Sequence, residues 1–253
     1  MDRTYRDGQL AWLQMFGDFI NRCGIEHAGN PATRKVPNNI GNLVDVDFPL
    51  HGSLPFTPAS EIELELSEDG EIRIVGIVDD GTPATFGSDF RLLTEIVTKI
   101  GTRELKIKDW IVNNGSTERE FASFQHVNFG EPVIDDGAQL VHAFKSVTAR
   151  NDGFSRSVSN PQRFGKFDNV PPNETEKVLF CVPLVGKDGK TKVMARNAEG
   201  SLGLSIEFEA ERLVPLKLLF IIICCCPPPR EGDRDLDVVG RPCEAEDEDK
   251  TLL

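Results

Sequence analysis

Glu61-Ile-Glu-Leu-Glu-Leu66 alternates acidic and apolar residues without a break, and Ser67-Glu-Asp-Gly70 leads from it into Glu71-Ile-Arg-Ile-Val-Gly-Ile-Val78. A side-chain period of two belongs to a strand, and Asp-Gly at the connection favours a tight reversal. The stretch reads as an antiparallel hairpin, and the same signals recur on both sides of it. Phe90 to Ile100 alternates again, with Phe90, Leu92, Thr94, Ile96, Thr98 and Ile100 on one side and Arg91, Glu95 and Lys99 on the other. Its partner is expected from Arg103 to Val112. The turn Asn113-Asn-Gly-Ser116 then reverses the chain into a strand carrying His126, so these three are expected to form a meander.

Further strands are expected at Gln139 to Thr148, Lys177 to Val185, Thr191 to Asn197 and Leu202 to Ala210. Gly8 to Glu26 fits a helical stripe or an irregular strand pair, and periodicity does not decide between them. Asn30 to Asn42, rich in Pro, Asn and Gly, reads as a loop at the rim of a cleft. Arg150 to Glu174 is polar, carries Pro161, Pro171 and Pro172, and reads as a long functional loop. About nine strands with turn signals roughly every 8 to 12 residues, and no long helix, predict an all-β fold, an antiparallel β-sandwich.

The chain has 253 residues, enough for one large all-β domain. Its net charge of -13, from 41 acidic and 28 basic residues, opposes nucleic-acid binding, which needs a basic face. That balance serves solubility and leaves room for a neutral or cationic partner. The six cysteines form no zinc or disulfide pattern, so a reducing, cytoplasmic setting is expected. The start, Met1-Asp-Arg-Thr-Tyr-Arg-Asp7, is charged, unlike a secretory leader. The longest apolar run, Leu213 to Cys226, contains Pro215 and Lys217 and falls short of the roughly 20 residues that span a bilayer, so no membrane association is expected.

Chemistry centres on Phe121-Ala-Ser-Phe-Gln-His-Val-Asn-Phe-Gly130. A period of two puts Phe124, His126 and Asn128 on one face, and an imidazole beside a carboxamide can contact a polyhydroxylated ligand. Spacing alone also fits an ordinary half-exposed histidine. The segment Leu105-Lys-Ile-Lys-Asp-Trp-Ile-Val-Asn-Asn-Gly-Ser116 with Gln125-His-Val-Asn-Phe-Gly130, together with Phe16-Gly-Asp-Phe-Ile-Asn-Arg-Cys-Gly-Ile25 and Leu50-His-Gly-Ser-Leu-Pro-Phe-Thr-Pro-Ala59, resembles the aldose 1-epimerase-like proteins grouped as domain of unknown function 4432. These belong to the galactose mutarotase-like superfamily. The resemblance runs from Gly8 to Pro215 and implies the large curved sandwich of that group, here incomplete.

The activity implied is interconversion of the α and β anomers of an aldose, so the partner implied is a small-molecule sugar. Ring opening needs a base for the anomeric hydroxyl proton and an acid for the ring oxygen, on opposite sides of the sugar. The resemblance assigns the acid to His126 and sugar holding to His51, with Asn128 either meeting a hydroxyl or closing the strand end. No metal and no cofactor are implied, and no oligomeric state is set. Two departures matter. Ser53 stands where the family more often has Arg, and the family's closing Trp-Lys and Gly-Leu-Glu-Pro-Gly segments have no counterpart, since Glu244, Glu246 and Glu248 lie in an acidic run.

Residues 1–216 are therefore expected to form a partial sandwich domain. Residues 217–253, which include Ile221-Ile-Ile-Cys-Cys-Cys-Pro-Pro-Pro229, are expected to be an aberrant or disordered acidic tail, either frame-shifted or genuine. Two functions follow: carbohydrate binding by a chain without its catalytic carboxylate, or an active aldose 1-epimerase. Asp168 and Glu176 as carboxylates, and Phe164 and Phe167 as stacking rings, are weaker candidates whose ordinary reading is surface charge and packing. His27 and His142 receive no role. The absence of glycine-rich nucleotide loops and of Gly-x-Ser-x-Gly disfavours nucleotide enzymes and serine hydrolases.

Overall fold

The computed structural model describes residues 18–37, 40, 42–81, 89–115, 118–149, 165–167, 177–210 and 219–223. Regular structure among them consists of fifteen strands and one 3-10 turn, Leu54–Phe56, and every strand pairing is antiparallel. No helix among the described residues is long and apolar enough to cross a membrane. The chain divides into two compact units, Met1–Asn128 and Phe129–Leu253.

In the first unit the hairpin becomes β4 (Glu61–Leu66) and β5 (Glu71–Gly81), and the sheet continues through β6 (Asp89–Lys99) and β7 (Lys106–Asn113) in the order β4-β5-β6-β7. Register sets Leu64 opposite Ile74, Ile74 opposite Ile96 and Ile96 opposite Ile107, so one face is aliphatic. On the other face Arg73 bridges Glu65 at 3.1 Å and Glu95 at 2.6 Å across three strands. At the far end of the aliphatic face Phe90 and Leu92 are buried against Ile25 and Leu54, with Val78 and Ile111 packed beside them. Each fully buried side chain of this kind contributes about 1.5–3 kcal/mol.

Two expectations change here. The strand carrying His126, β8 (Ala122–Val127), does not extend a meander from β7; it pairs with β1 (Ile20–Ile25), Asn21 opposite His126 and Cys23 opposite Phe124. Side chains then tie this ribbon to the sheet. Asp109 on β7 accepts Arg22 Nε at 3.2 Å and Gln125 Nε2 at 2.8 Å from the two ribbon strands, and Thr94 Oγ1 at 2.7 Å from β6. The stretch from Asn30 to Asn42, expected to be a loop, contributes β2 (Ala32–Pro37), which pairs with β3 (Leu43–Phe48). Polar cross-strand pairs, Thr33 with Asp47 and Lys35 with Asp45, hold this exposed hairpin and disguise it as loop in the sequence.

The second unit holds two sheets. One, in the order β11-β9-β13-β14, contains β9 (Ala138–His142), β11 (Lys166–Phe167), β13 (Lys190–Arg196) and β14 (Gly203–Glu209). The other, β10-β12-β15, contains β10 (Phe144–Ala149), β12 (Lys177–Pro183) and β15 (Leu219–Ile223). The single strand expected from Gln139 to Thr148 is thus two strands that part at Ala143 and join different sheets. A register shift between Phe144 and Ser146 marks the corner, as bulges do where a chain changes sheet.

Within the stretch expected to be an aberrant or disordered tail, Leu219–Ile223 pairs as a strand, with Ile221 opposite Leu179 on β12. Residues 224–253 lie outside the described residues, as do Phe164, Asp168 and Glu176. Cys181 on β12 is fully buried and burial pushes its thiol up to about 12, which makes it an inert packing group.

Candidate functional site

The His-Gly block is built on two consecutive left-handed residues, His51 at φ 61° and Gly52 at φ 84°. Gly52 is required there, since a Cβ would overlap the carbonyl oxygens of Gly24 and His27. Gly24 is required in turn, since its Cβ would overlap the carbonyl oxygen of Ala122 on β8. Three segments distant in sequence therefore stack backbone on backbone. Hydrogen bonds fasten the stack, with Gly24 N donating to His51 O at 2.9 Å, His51 N to Gly29 O at 2.8 Å and Gly52 N to Pro49 O at 3.1 Å. A left-handed non-glycine residue is strained by about 1–3 kcal/mol, and such strain gathers at functional positions.

The stack sets the His51 ring beside β8. Its centroid lies 4.9 Å from Phe124, edge to face, and 6.4 Å from His126. Buried Cys23 and Leu50, with Phe56 and Phe124 against them, form the apolar floor. Burial lowers the His51 pKa to about 4, and repulsion from His126 and His27 adds to the effect. At neutral pH His51 is an uncharged imidazole, with one N–H to donate and one bare nitrogen to accept.

Asn128 lies just past β8. Its Nδ2 donates to Asp18 O at 2.6 Å and its backbone N donates to Phe19 O at 3.0 Å, two bonds that tie the end of β8 to the start of β1. His27, given no role from sequence, is buried; its Nε2–H donates to Asn30 O at 2.7 Å and its ring stacks on Phe48 at 5.3 Å. Burial lowers its pKa too. In the second unit His142 stacks on Phe144 at 4.2 Å, and Phe167 is half-buried on β11.

Sequence reading missed the polar groups behind the histidines. Asp80, 4% exposed at the end of β5, accepts the Ser53 hydroxyl on Oδ1 and Ile25 N–H on Oδ2 at 3.3 Å. Its signal was available, for a carboxylate stands in phase with Ile74 and Val78, where the alternation calls for an apolar residue. A cavity of about 240 Å³ lies between β1, the 3-10 turn and the sheet, lined by Asn21, Arg22, Leu54, Leu92 and Thr94 among others. Among the described residues no group of three or more His, Cys, Asp or Glu stands together as a metal site.

Comparison with known proteins agrees with this framework. No curated protein matches the chain. Among solved structures, a "putative aldose 1-epimerase" from Klebsiella pneumoniae subsp. pneumoniae superimposes with a TM-score of 0.71 at 28% sequence identity, over 86% of this chain and 53% of that one. This chain thus spans about half of that relative's length. The all-β, antiparallel β-sandwich class expected from the strand pattern holds. The family model described as Domain of unknown function (DUF4432) matches residues 2–218, and the chain belongs to that family.

Proposed function

We propose that this chain binds the pyranose ring of an aldose, with His51 and His126 as the groups that meet its hydroxyls. The convergence of the two imidazoles, 6.4 Å apart over an apolar floor, carries the reading. A sugar presents neutral donors and acceptors on an apolar ring, and a neutral His51 matches the former without drawing in a counter-ion. The solved relative, itself named for aldose 1-epimerase activity, supports the ligand class. Asn128 serves the site by fixing the end of β8, which carries His126. The buried thiols of Cys23 and Cys181 suit a reducing cytoplasm.

In the epimerase chemistry His126 is the acid that protonates the ring oxygen, while a carboxylate takes the anomeric proton. Glu244, Glu246 and Glu248 lie outside the described residues, so the proposal rests on binding. Exchange NMR on equilibrated D-glucose or D-galactose tests it. Broadening of the sugar lines that disappears in His51→Ala and His126→Ala is the expected result. Exchange peaks between anomers above the uncatalysed rate, lost in His126→Ala, make the protein an active epimerase. Lines that stay sharp with both sugars overturn the proposal.

A further inference from the structure

We propose that Asp80 is the positioning residue of the site, its carboxylate clamping the His51-Gly52-Ser53 turn to the end of β1. The consequence for ligand binding rests on the sugar-binding reading above; the clamp itself does not.

Asp80 sits on the face of β5 that otherwise supplies apolar core, and burial raises its pKa. Burying a carboxylate is unfavourable unless its oxygens are satisfied, and an apolar residue would pack here at less expense. What a carboxylate offers instead is an acceptor at each oxygen. The two donors come from different segments, Ser53 of the turn and Ile25 of β1. The neighbours of those residues are themselves joined, since Gly24 N donates to His51 O. The connections close a ring that runs His51, Gly24, Ile25, Asp80, Ser53 and back through Gly52. On the outer side, Phe56 N and Thr57 Oγ1 both donate to Ser53 O, at 2.9 and 3.0 Å, which anchors the turn to the 3-10 segment. His51, held left-handed by its backbone, is thereby fixed from both flanks. Without the clamp the turn is free to relax toward an unstrained conformation, and the ring leaves its place against Phe124 and near His126.

The test follows the His51 imidazole by NMR titration in the full chain and measures D-galactose affinity alongside. Wild type is expected to titrate at about 4. Asp80→Ala is expected to move His51 up toward the solvent value of about 6.5 and to weaken the sugar about tenfold, the scale of one charged hydrogen bond. Ser53→Ala moves both readings the same way by less. Asp80→Asn restores the bridge, its carbonyl accepting from Ile25 and its amide donating to Ser53 Oγ, and returns both readings to those of wild type. A folded Asp80→Ala whose His51 signal is that of wild type overturns the proposal. If Asp80→Ala fails to fold, Ser53→Ala decides in its place by the same criterion. Absence of any sugar binding in wild type sinks the functional reading instead, while the His51 titration still reports on the clamp.

Discussion

His51 carries two unfavourable features at once, a left-handed backbone and an imidazole buried beside two others. The second makes stability depend on pH in a defined direction. Its folded pKa of about 4 lies below the ordinary imidazole value of 6.5, so the native state favours the neutral ring. Its contribution to stability is complete above the unfolded value and is lost as pH falls from 6.5 toward 4. At 1.36 kcal/mol per unit the loss reaches at most about 3 kcal/mol, less where solvent reaches the ring. Asp80 works oppositely, because burial raises its pKa and protonation at low pH relieves a penalty. Urea unfolding at about pH 7.5 and about pH 4.5 should therefore show a larger acid loss for wild type than for His51→Asn, a residue that tolerates the left-handed backbone. Equal losses would show that His51 does not titrate with folding.

The elements that bring His51 to β8 depend on glycine at two contacts. Gly24→Ala and Gly52→Ala each place a methyl on a backbone carbonyl at positive φ, and each is expected to destabilise by at least about 2 kcal/mol in urea unfolding. Gly76→Ala on β5, with open space at its Cβ and no positive φ, is expected to stay within about 1 kcal/mol. If all three behave alike, the close stacking of segments is not what holds the site together. The same elements show what a sequence discloses. Strong alternation with a short turn made β4, β5, β6 and β7 legible, since partner and register lie nearby in the chain. The pairing of β8 with β1 was not, because a period of two names a strand's faces and is silent on a distant neighbour. β2 was hidden by polar side chains that serve one exposed ion pair and one exposed hydrogen bond across the hairpin. That His51 and His126 belong together came from resemblance; no spacing states it. Asp80 was visible as a phase violation and passed over.

At the scale of the whole molecule, the acidic surface and the aliphatic edge of the first unit's sheet pull in opposite directions. β4 is the edge strand, and Ile62, Leu64 and Leu66 are 73%, 68% and 66% exposed. By register they extend a stripe that continues onto Ile74 and Ile96. An exposed aliphatic edge is a template for association. The net charge of -13, with Glu61, Glu63 and Glu65 on the same strand, opposes it by repulsion. That repulsion is long-ranged at low ionic strength and shrinks to about 8–10 Å near physiological salt. Light scattering on the isolated chain is therefore expected to show an apparent mass that rises with protein concentration, and rises further as salt is added. Leu64→Lys, which puts a charge at the middle of the stripe, should abolish the concentration dependence while leaving the sheet folded by circular dichroism. If Leu64→Lys associates as wild type does, the surface responsible lies elsewhere, and the stripe on β4 is covered in solution.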